Sequence, residues 1–123
     1  MNRDSALIYI TDDSAVVRSQ VADVLTAEGF RVHLRGAETR STDTKSMGRF
    51  LCALVNLQPA DEKQDAVDLA EILRVYRPGL PVAFLHVDAS PRLRQRANAL
   101  GPVFRKPDEF QNLLIWVRRQ AGG

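Results

Sequence analysis

Residues 6–18 read ALIYITDDSAVVR, and this stretch decides the class of fold that the sequence encodes. Its first part, Ala6–Ile10, is continuously apolar, as in a short strand that is buried on both faces. The polar side chains of Asp12–Ser14 can cap a helix, and apolar residues recur at helical spacing through Ser14–Glu28. Gly29 is well suited to end that helix. The stretch therefore predicts a buried strand that leads directly into a helix.

The same pattern repeats along the rest of the chain. Four more segments predict strands, at 30–35, 51–55, 81–85 and 103–105. Three more predict helices with an apolar stripe, at 61–76, 91–100 and 108–119. In the first of these helices the expected stripe runs from Val67 to Tyr76. The polar segment Gly36–Phe50 has few apolar residues and predicts a short or irregular helix.

The order of these elements, β-α-β-(α)-β-α-β-α-β-α, predicts a parallel sheet. Strands that alternate with helices form a parallel sheet whose crossover helices cover both faces. Because the chain has 123 residues and no linker or repeat interrupts it, we expect residues 1–123 to form one α/β domain with five strands. The segment 30–35 alternates between apolar and polar residues, so we expect it near an edge of the sheet.

The composition excludes several classes of protein. Apolar residues make up 45% and charged residues 26% of the chain, which is typical of globular domains and not of disordered or fibrous chains. The apolar run that contains Leu51–Val55 is too short to cross a membrane. The single cysteine, Cys52, lies in that run and predicts a core residue rather than a disulfide or metal ligand. Without a basic and apolar leader, the chain is expected to be cytoplasmic.

Polar residues follow the predicted strands at their carboxyl ends. They are Thr11, Asp12 and Asp13 after the first strand, Asn56 after the third, His86 after the fourth and Lys106 after the fifth. In an open parallel sheet the carboxyl ends of the strands border one crevice, where ligands bind. We therefore expect two acids, an amide, an imidazole and an amine to converge in that crevice.

These residues carry a resemblance to a known family. The stretch 12–18, DDSAVVR, and the Lys106-Pro107 pair resemble the motifs of a response-regulator receiver domain, and the resemblance covers nearly the whole chain. It implies the flavodoxin-like (βα)5 fold. In receivers the acidic pair helps to hold Mg²⁺, and a carboxylate after the third strand accepts a phosphoryl group. A hydroxyl after the fourth strand and a lysine after the fifth contact that group, and the cation and the lysine offset its charge.

The sequence departs from the receiver pattern at the position that accepts the phosphoryl group. Asn56 stands there, and an amide oxygen is a poor nucleophile that cannot form an acyl phosphate. His86 replaces the small hydroxyl, and Val103 stands at the usual aromatic position. The sequence thus resembles a degenerate receiver, a pseudo-receiver, whose pocket would consist of Asp12, Asp13, Asn56, His86, Lys106 and Pro107. We expect no phosphorylation, no enzymatic activity and no cofactor.

Each pocket residue also has a structural role that needs no ligand. Asp12 or Asp13 can cap the first helix, and Lys106 is expected to pair with one of them rather than bind phosphate. Asn56 can hydrogen-bond the acids or the loop backbone. His86 is either a partly buried polar residue or a group whose pKa the nearby acids raise. Asp12 and Asp13 are candidate Mg²⁺ ligands, but with the third carboxylate missing we expect no metal site.

Charge is distributed unevenly along the chain. The net charge is +2, yet residues 1–89 carry −3 and residues 90–123 carry +5. In receivers the fourth helix, fifth strand and fifth helix form the usual dimer and output face, which here would be basic with an apolar centre. Its candidate residues are Arg92, Arg96, Val103, Phe104, Arg105, Ile115, Trp116, Arg118 and Arg119. We expect this face to bind an acidic protein partner or to form a homodimer; the alternative is a solvated surface with Trp116 covering the core edge.

Four functional hypotheses follow from these observations. The leading one is a receiver-like signalling module that is not phosphorylated and acts through protein–protein interaction. In the second, another acid such as Asp12, Asp13 or Asp61 accepts the phosphoryl group, or the pocket binds a small anion or metal. The third, nucleic-acid binding through the basic end, is not expected because no helix-turn-helix pattern accompanies it. A flavodoxin-like enzyme is disfavoured because the sequence has no glycine-rich phosphate loop.

Overall fold

The computed structural model describes residues 7–11, 15–35, 50–57, 65–106 and 108–122, which contain five strands and four helices. The strands are β1 (Leu7–Thr11), β2 (Arg31–Arg35), β3 (Phe50–Asn56), β4 (Val82–His86) and β5 (Val103–Arg105). The helices are α1 (Ala15–Ala27), α2 (Asp65–Tyr76), α3 (Pro91–Asn98) and α4 (Phe110–Gln120). The helix predicted within 36–50 falls on residues outside the described ranges, except for Phe50, which begins β3. The predicted fourth and fifth helices are therefore α3 and α4.

All five strands belong to one parallel sheet with the order β2-β1-β3-β4-β5. The predicted five-stranded parallel sheet is confirmed, and β2 lies at an edge as its alternating pattern indicated. The chain moves from β1 to β2 in one direction and from β3 through β4 to β5 in the other. The strand order therefore reverses between β1 and β3, which is where sheets of this kind place their ligand crevice.

Helices cover both faces of the sheet, and each face has its own core. One core packs α2 and α3 against the sheet, and the other packs α1 and α4 against the opposite face. The central strands contribute to both cores: β3 is buried from Phe50 to Val55, and all five residues of β4 are buried. Cys52 is fully buried, as expected of a core residue, and this burial raises the pKa of its thiol to about 12.

The helix boundaries agree with the predictions to within a few residues. Pro91 begins α3, and the Oγ atom of Ser90 caps it by accepting a hydrogen bond from the Leu93 N–H at 3.2 Å. The prediction for Tyr76 was wrong, because its side chain is 57% exposed. Because one helical turn takes about 3.6 residues, a series spaced by three drifts around the axis, and the last member of 67, 70, 73 and 76 lies outside the buried stripe. The described helices have 8 to 13 residues, and none is long and apolar enough to cross a bilayer.

Two glycines are required by the backbone geometry. Gly29 adopts φ 95° just after α1, where the Phe30 N–H donates to the Leu25 carbonyl oxygen at 3.1 Å and ends the helix as predicted. Gly101, which follows α3, lies against the start of β4. A Cβ atom at this position would stand 1.9 Å from the carbonyl oxygen of Val82. The close approach of these two backbones therefore excludes any side chain at residue 101.

Candidate functional site

Three of the predicted pocket residues come together at the carboxyl edge of the sheet. Asn56 ends β3, His86 ends β4, and Lys106 follows β5 directly. These strands are neighbours, and the Lys106 N–H donates to the carbonyl oxygen of His86 at 2.8 Å, which extends the pairing of β4 with β5. The other predicted pocket residues, Asp12, Asp13 and Pro107, lie outside the described residues.

The side chains of Lys106 and Asn56 are directly hydrogen-bonded. The Nζ atom of Lys106 donates to the Oδ1 atom of Asn56 at 2.6 Å, reaching from the end of β5 to the end of β3. Only 6% of Lys106 is exposed, so its ammonium group sits where water contributes little to solvation. Hydrogen bonds from charged donors are about twice as strong as neutral ones. The Asn56 amide is therefore engaged by the lysine.

His86 is buried between these groups, and its ring stabilises the turn after β4. Its Nδ1 atom accepts a hydrogen bond from the Ala89 N–H at 3.3 Å, and 6% of the residue is exposed. An accepting Nδ1 atom places the proton of the neutral ring on Nε2. A ring in this role behaves as a fixed structural element.

The pKa of His86 is lowered, contrary to the expectation that nearby acids would raise it. The main cause is burial, which penalises the imidazolium form. The positive charges of Arg94 and Arg105 add to this effect, and the opposing influence of Glu109 does not reverse it. The ring is therefore held neutral in a positively charged environment. This environment arises because α3, which carries Arg94, follows β4 and leads to the neighbouring strand β5, which carries Arg105.

The described part of the pocket has limited chemical capability. At the ends of β3, β4 and β5 its polar side chains are an amide, a neutral imidazole and an ammonium group. An amide oxygen that accepts a hydrogen bond from an ammonium group is a weaker nucleophile than a carboxylate. The arrangement favours a closed, fixed conformation of the strand ends.

The second candidate site is the surface around β5, α3 and α4, which we call the β5 surface. Arg92 and Arg96 are exposed on α3, Arg105 is exposed on β5, and Arg119 is exposed on α4. Ile115 on α4 is 44% exposed, as the helical geometry predicted. These residues give the surface a positive charge and one exposed aliphatic group.

The aromatic residues of the β5 surface belong partly to the core. Trp116 is half-buried, and its ring lies 6.5 Å from that of Phe104, centroid to centroid. Both rings pack on the core beneath α4, while Val103 packs on the core of the opposite face. Trp116 therefore covers the edge of the core and keeps one side exposed at the β5 surface.

Arg118 points away from the β5 surface. Its guanidinium donates to both carboxylate oxygens of Glu28, at 2.7 and 3.1 Å, and so ties α4 to the end of α1. The sequence analysis missed this pair because the two residues are 90 positions apart. The helical spacing contained a signal: Arg118 follows the buried Leu114 by four residues and so lies beside it, on the flank of the buried stripe opposite Trp116.

The exposed edge of β5 is blocked by a side chain. The Oε1 atom of Glu109 accepts a hydrogen bond from the Arg105 N–H at 2.9 Å, and the Glu109 N–H donates to the Arg105 carbonyl oxygen at 2.8 Å. An unpaired edge strand would otherwise be available to pair with a strand from another chain. The β5 surface is therefore suited to contacts through side chains and not to strand addition.

Comparisons with known proteins give a fold and no sequence family. No family model matches the sequence, and no curated protein matches it. A protein provisionally described as pilus assembly-related, from Burkholderia pseudomallei, is 18% identical with a TM-score of 0.74, covering 98% of this chain and 94% of that chain. A response regulator from Thermotoga maritima is 18% identical with a TM-score of 0.73, covering 97% of this chain and 99% of that chain.

A third solved structure has the same architecture. A CheY-like response regulator receiver domain protein from Methanospirillum hungatei is 22% identical, with a TM-score of 0.72, covering 95% of this chain and 97% of that chain. The structural neighbours of the chain thus include CheY-like response-regulator receiver domains. Together with the parallel strand order β2-β1-β3-β4-β5 and the helices on both faces, this similarity shows that the chain has the flavodoxin/CheY-like receiver fold.

Proposed function

We propose that this protein is a cytoplasmic, receiver-like signalling module, a pseudo-receiver, that works without phosphorylation and binds a protein partner through the β5 surface. The observation that carries the proposal is the hydrogen bond from Lys106 to Asn56. In receivers the lysine contacts a phosphoryl group that is carried by a carboxylate at the position of Asn56. Here the amide takes the place of that carboxylate and holds the lysine directly.

The electrostatics of the pocket support a single fixed state. A carboxylate at residue 56 would add negative charge beside the predicted acids of the crevice and would need a cation to balance it. The neutral amide removes that requirement and still supplies an oxygen for the Lys106 ammonium group. The neutral His86 ring, held by the Ala89 N–H, fixes the neighbouring turn. We infer that the module signals by its presence or abundance and has no catalytic role.

The β5 surface supports a partner with an acidic surface. This surface carries four exposed arginines, the exposed Ile115 and the partly exposed Trp116. Arginine and tryptophan are frequent anchors of protein interfaces, and a basic surface speeds encounter with an acidic partner. The mutual capping of Arg105 and Glu109 holds the centre of this surface in one conformation, which reduces the entropy lost on binding.

A phosphodonor experiment tests the pocket. The full chain is incubated with Mg²⁺ and a small phosphodonor such as acetyl phosphate, and its intact mass is measured. We expect no mass gain. A stable gain that disappears in the Asp13→Ala variant would overturn the proposal and identify an alternative acceptor in the crevice.

A capture experiment tests the β5 surface. Immobilised wild-type protein is compared with the Arg119→Glu and Ile115→Asp variants in extracts of the source cell, and each variant is checked by circular dichroism. Arg31→Glu, which makes the same charge change at the opposite edge of the sheet, is the matched control. Partners should be lost in the first two variants and kept in the control. Equal capture by all four proteins would show that the β5 surface does not bind the partner.

A further inference from the structure

Helix α2 has a second apolar face that the core does not use. Ile72, Val75 and Tyr76 are 46%, 76% and 57% exposed. Their spacing places them together on the side of α2 that faces away from the sheet. Asp68 and Glu71 are exposed on the same side. The outer face of α2 therefore combines a compact apolar patch with two negative charges.

Helix α3 has the opposite character. Its exposed residues include Arg92, Arg94 and Arg96, and α3 contains no acidic residue. Both helices pack on the same core, and they connect β3 to β4 and β4 to β5 in turn. Consecutive crossovers on one face of a parallel sheet lie side by side. An acidic and apolar helix is thus placed next to a basic helix on one face of the protein.

We propose that this α2–α3 face binds a second copy of the chain across a two-fold axis, with α2 of each copy packed against α3 of the other. In this arrangement the two-fold axis runs between α2 and α3. The acidic α2 of each copy then meets the basic α3 of the other copy, so both α2–α3 contacts form at once. Pairing of α2 with α2 would instead oppose like charges. The proposal goes beyond the proposed partner binding, because it uses α2, which is not part of the β5 surface, although α3 with Arg92 and Arg96 belongs to both surfaces.

The contacts in this arrangement are chemically matched. Asp68 and Glu71 of one copy face the arginines on α3 of the other, and the arginine stems cover Ile72 and Val75. Long basic side chains bury their apolar stems in this way and keep the charged group in water. Tyr76 offers an aromatic face to a guanidinium group, an additional favourable contact.

The size of the face indicates a weak dimer. Since a helix rises about 1.5 Å per residue, the 12 residues of α2 and 8 residues of α3 extend about 18 and 12 Å. With the axes about 10 Å apart, the patch falls short of the roughly 800 Å² that each partner contributes to a standard interface. The dimer should therefore form at high micromolar concentration and weaken as salt rises.

Sedimentation velocity of the full chain tests the proposal. Samples from about 10 µM to about 1 mM cover the range in which so small an interface associates. We expect a reversible monomer–dimer equilibrium whose dissociation constant rises by about tenfold or more in the Val75→Asp variant. Ile115→Asp makes the same kind of change at an exposed aliphatic residue of α4 and should leave the dimer intact. This control separates the α2–α3 dimer from association through the β5 surface.

Two variants with reversed charges, one on α2 and one on α3, test whether the molecule bound at this face is a second copy of the chain. One variant carries Asp68→Lys with Glu71→Lys, and the other carries Arg92→Glu with Arg96→Glu. Each variant should be monomeric by itself, and an equimolar mixture should restore the dimer, because both α2–α3 contacts of the mixed pair are again complementary. A wild type that stays monomeric at about 1 mM would overturn the proposal. So would a dimer that survives Val75→Asp, or a mixture that remains monomeric.

Discussion

The Nζ atom of Lys106 lies 2.6 Å from the Oδ1 atom of Asn56, although the two residues are 50 positions apart in the chain. The bond crosses the end of β4 and joins the carboxyl ends of β3 and β5. Burying an ammonium group costs free energy unless it is hydrogen-bonded, and Asn56 provides an oxygen for that purpose. This pair therefore links the stability of the fold to the arrangement of polar groups in the pocket.

Removing Asn56 should destabilise the protein, and the size of this loss should depend on whether Lys106 is present. Asn56→Ala takes an acceptor from a buried ammonium group, so we expect the free energy of unfolding to fall by about 1.5–3 kcal/mol. Lys106→Met removes the charge and keeps the chain length. In the double variant the two losses should be less than additive, as measured by urea unfolding of all four proteins. Strict additivity would show that the hydrogen bond does not couple the two residues.

A carboxylate at residue 56 should allow the chain to be phosphorylated. In the Asn56→Asp variant a carboxylate oxygen can attack the phosphorus of acetyl phosphate and release acetate. We expect the intact mass to increase by one phosphoryl group when Mg²⁺ is present. Asn98→Asp, the same substitution at an exposed residue of α3, should remain unmodified. An Asn56→Asp variant that keeps its fold and stays unmodified would contradict this prediction.

The stability of the protein should depend on His86 in mildly acidic solution. Burial and the neighbouring arginines lower the pKa of His86 below its ordinary value of 6.5. The unfolded chain binds a proton near that ordinary value and the folded chain does not, so the free energy of unfolding falls as pH decreases below about 6.5. It stops falling once the pH is below the lowered pKa.

The His86→Asn variant tests this dependence. The asparagine keeps an acceptor for the Ala89 N–H and does not titrate, so the fall in unfolding free energy below pH 6.5 should be shallower than in the wild type. His33→Asn removes the other histidine of the chain and should retain the slope that comes from His86. Identical slopes in the wild type and His86→Asn would contradict the prediction.

Two glycine substitutions should have opposite effects on stability. A methyl group at Gly101 would collide with the backbone of Val82, so Gly101→Ala should lower the free energy of unfolding by about 1–3 kcal/mol. At Gly79 an added Cβ meets no atom within 4 Å. Gly79→Ala should leave stability unchanged or raise it by up to about 1 kcal/mol, because it restricts the unfolded chain. Thermal unfolding measures both, and equal effects would contradict the assigned contact at Gly101.

The fold was predictable because its signals are local. The apolar runs at 51–55 and 81–85 indicated strands that are buried on both faces, and each is buried in the structure. Strands that alternate with helices leave few topologies, because crossovers between parallel strands are right-handed. Tyr76 was misplaced because its apolar character suggested burial, while the geometry of α2 turns it outward with Ile72 and Val75.

The sequence by itself determined the element order, the parallel sheet and the meeting of Asn56, His86 and Lys106, because the carboxyl ends of parallel strands share one edge. Tertiary structure decided how these residues interact. The Lys106–Asn56 bond, the lowered pKa of His86 and the Arg118–Glu28 ion pair depend on distances between groups far apart in the chain. Packing also decided which helix faces stay exposed, because a helical pattern shows which residues share a face but not which face meets another helix or the sheet.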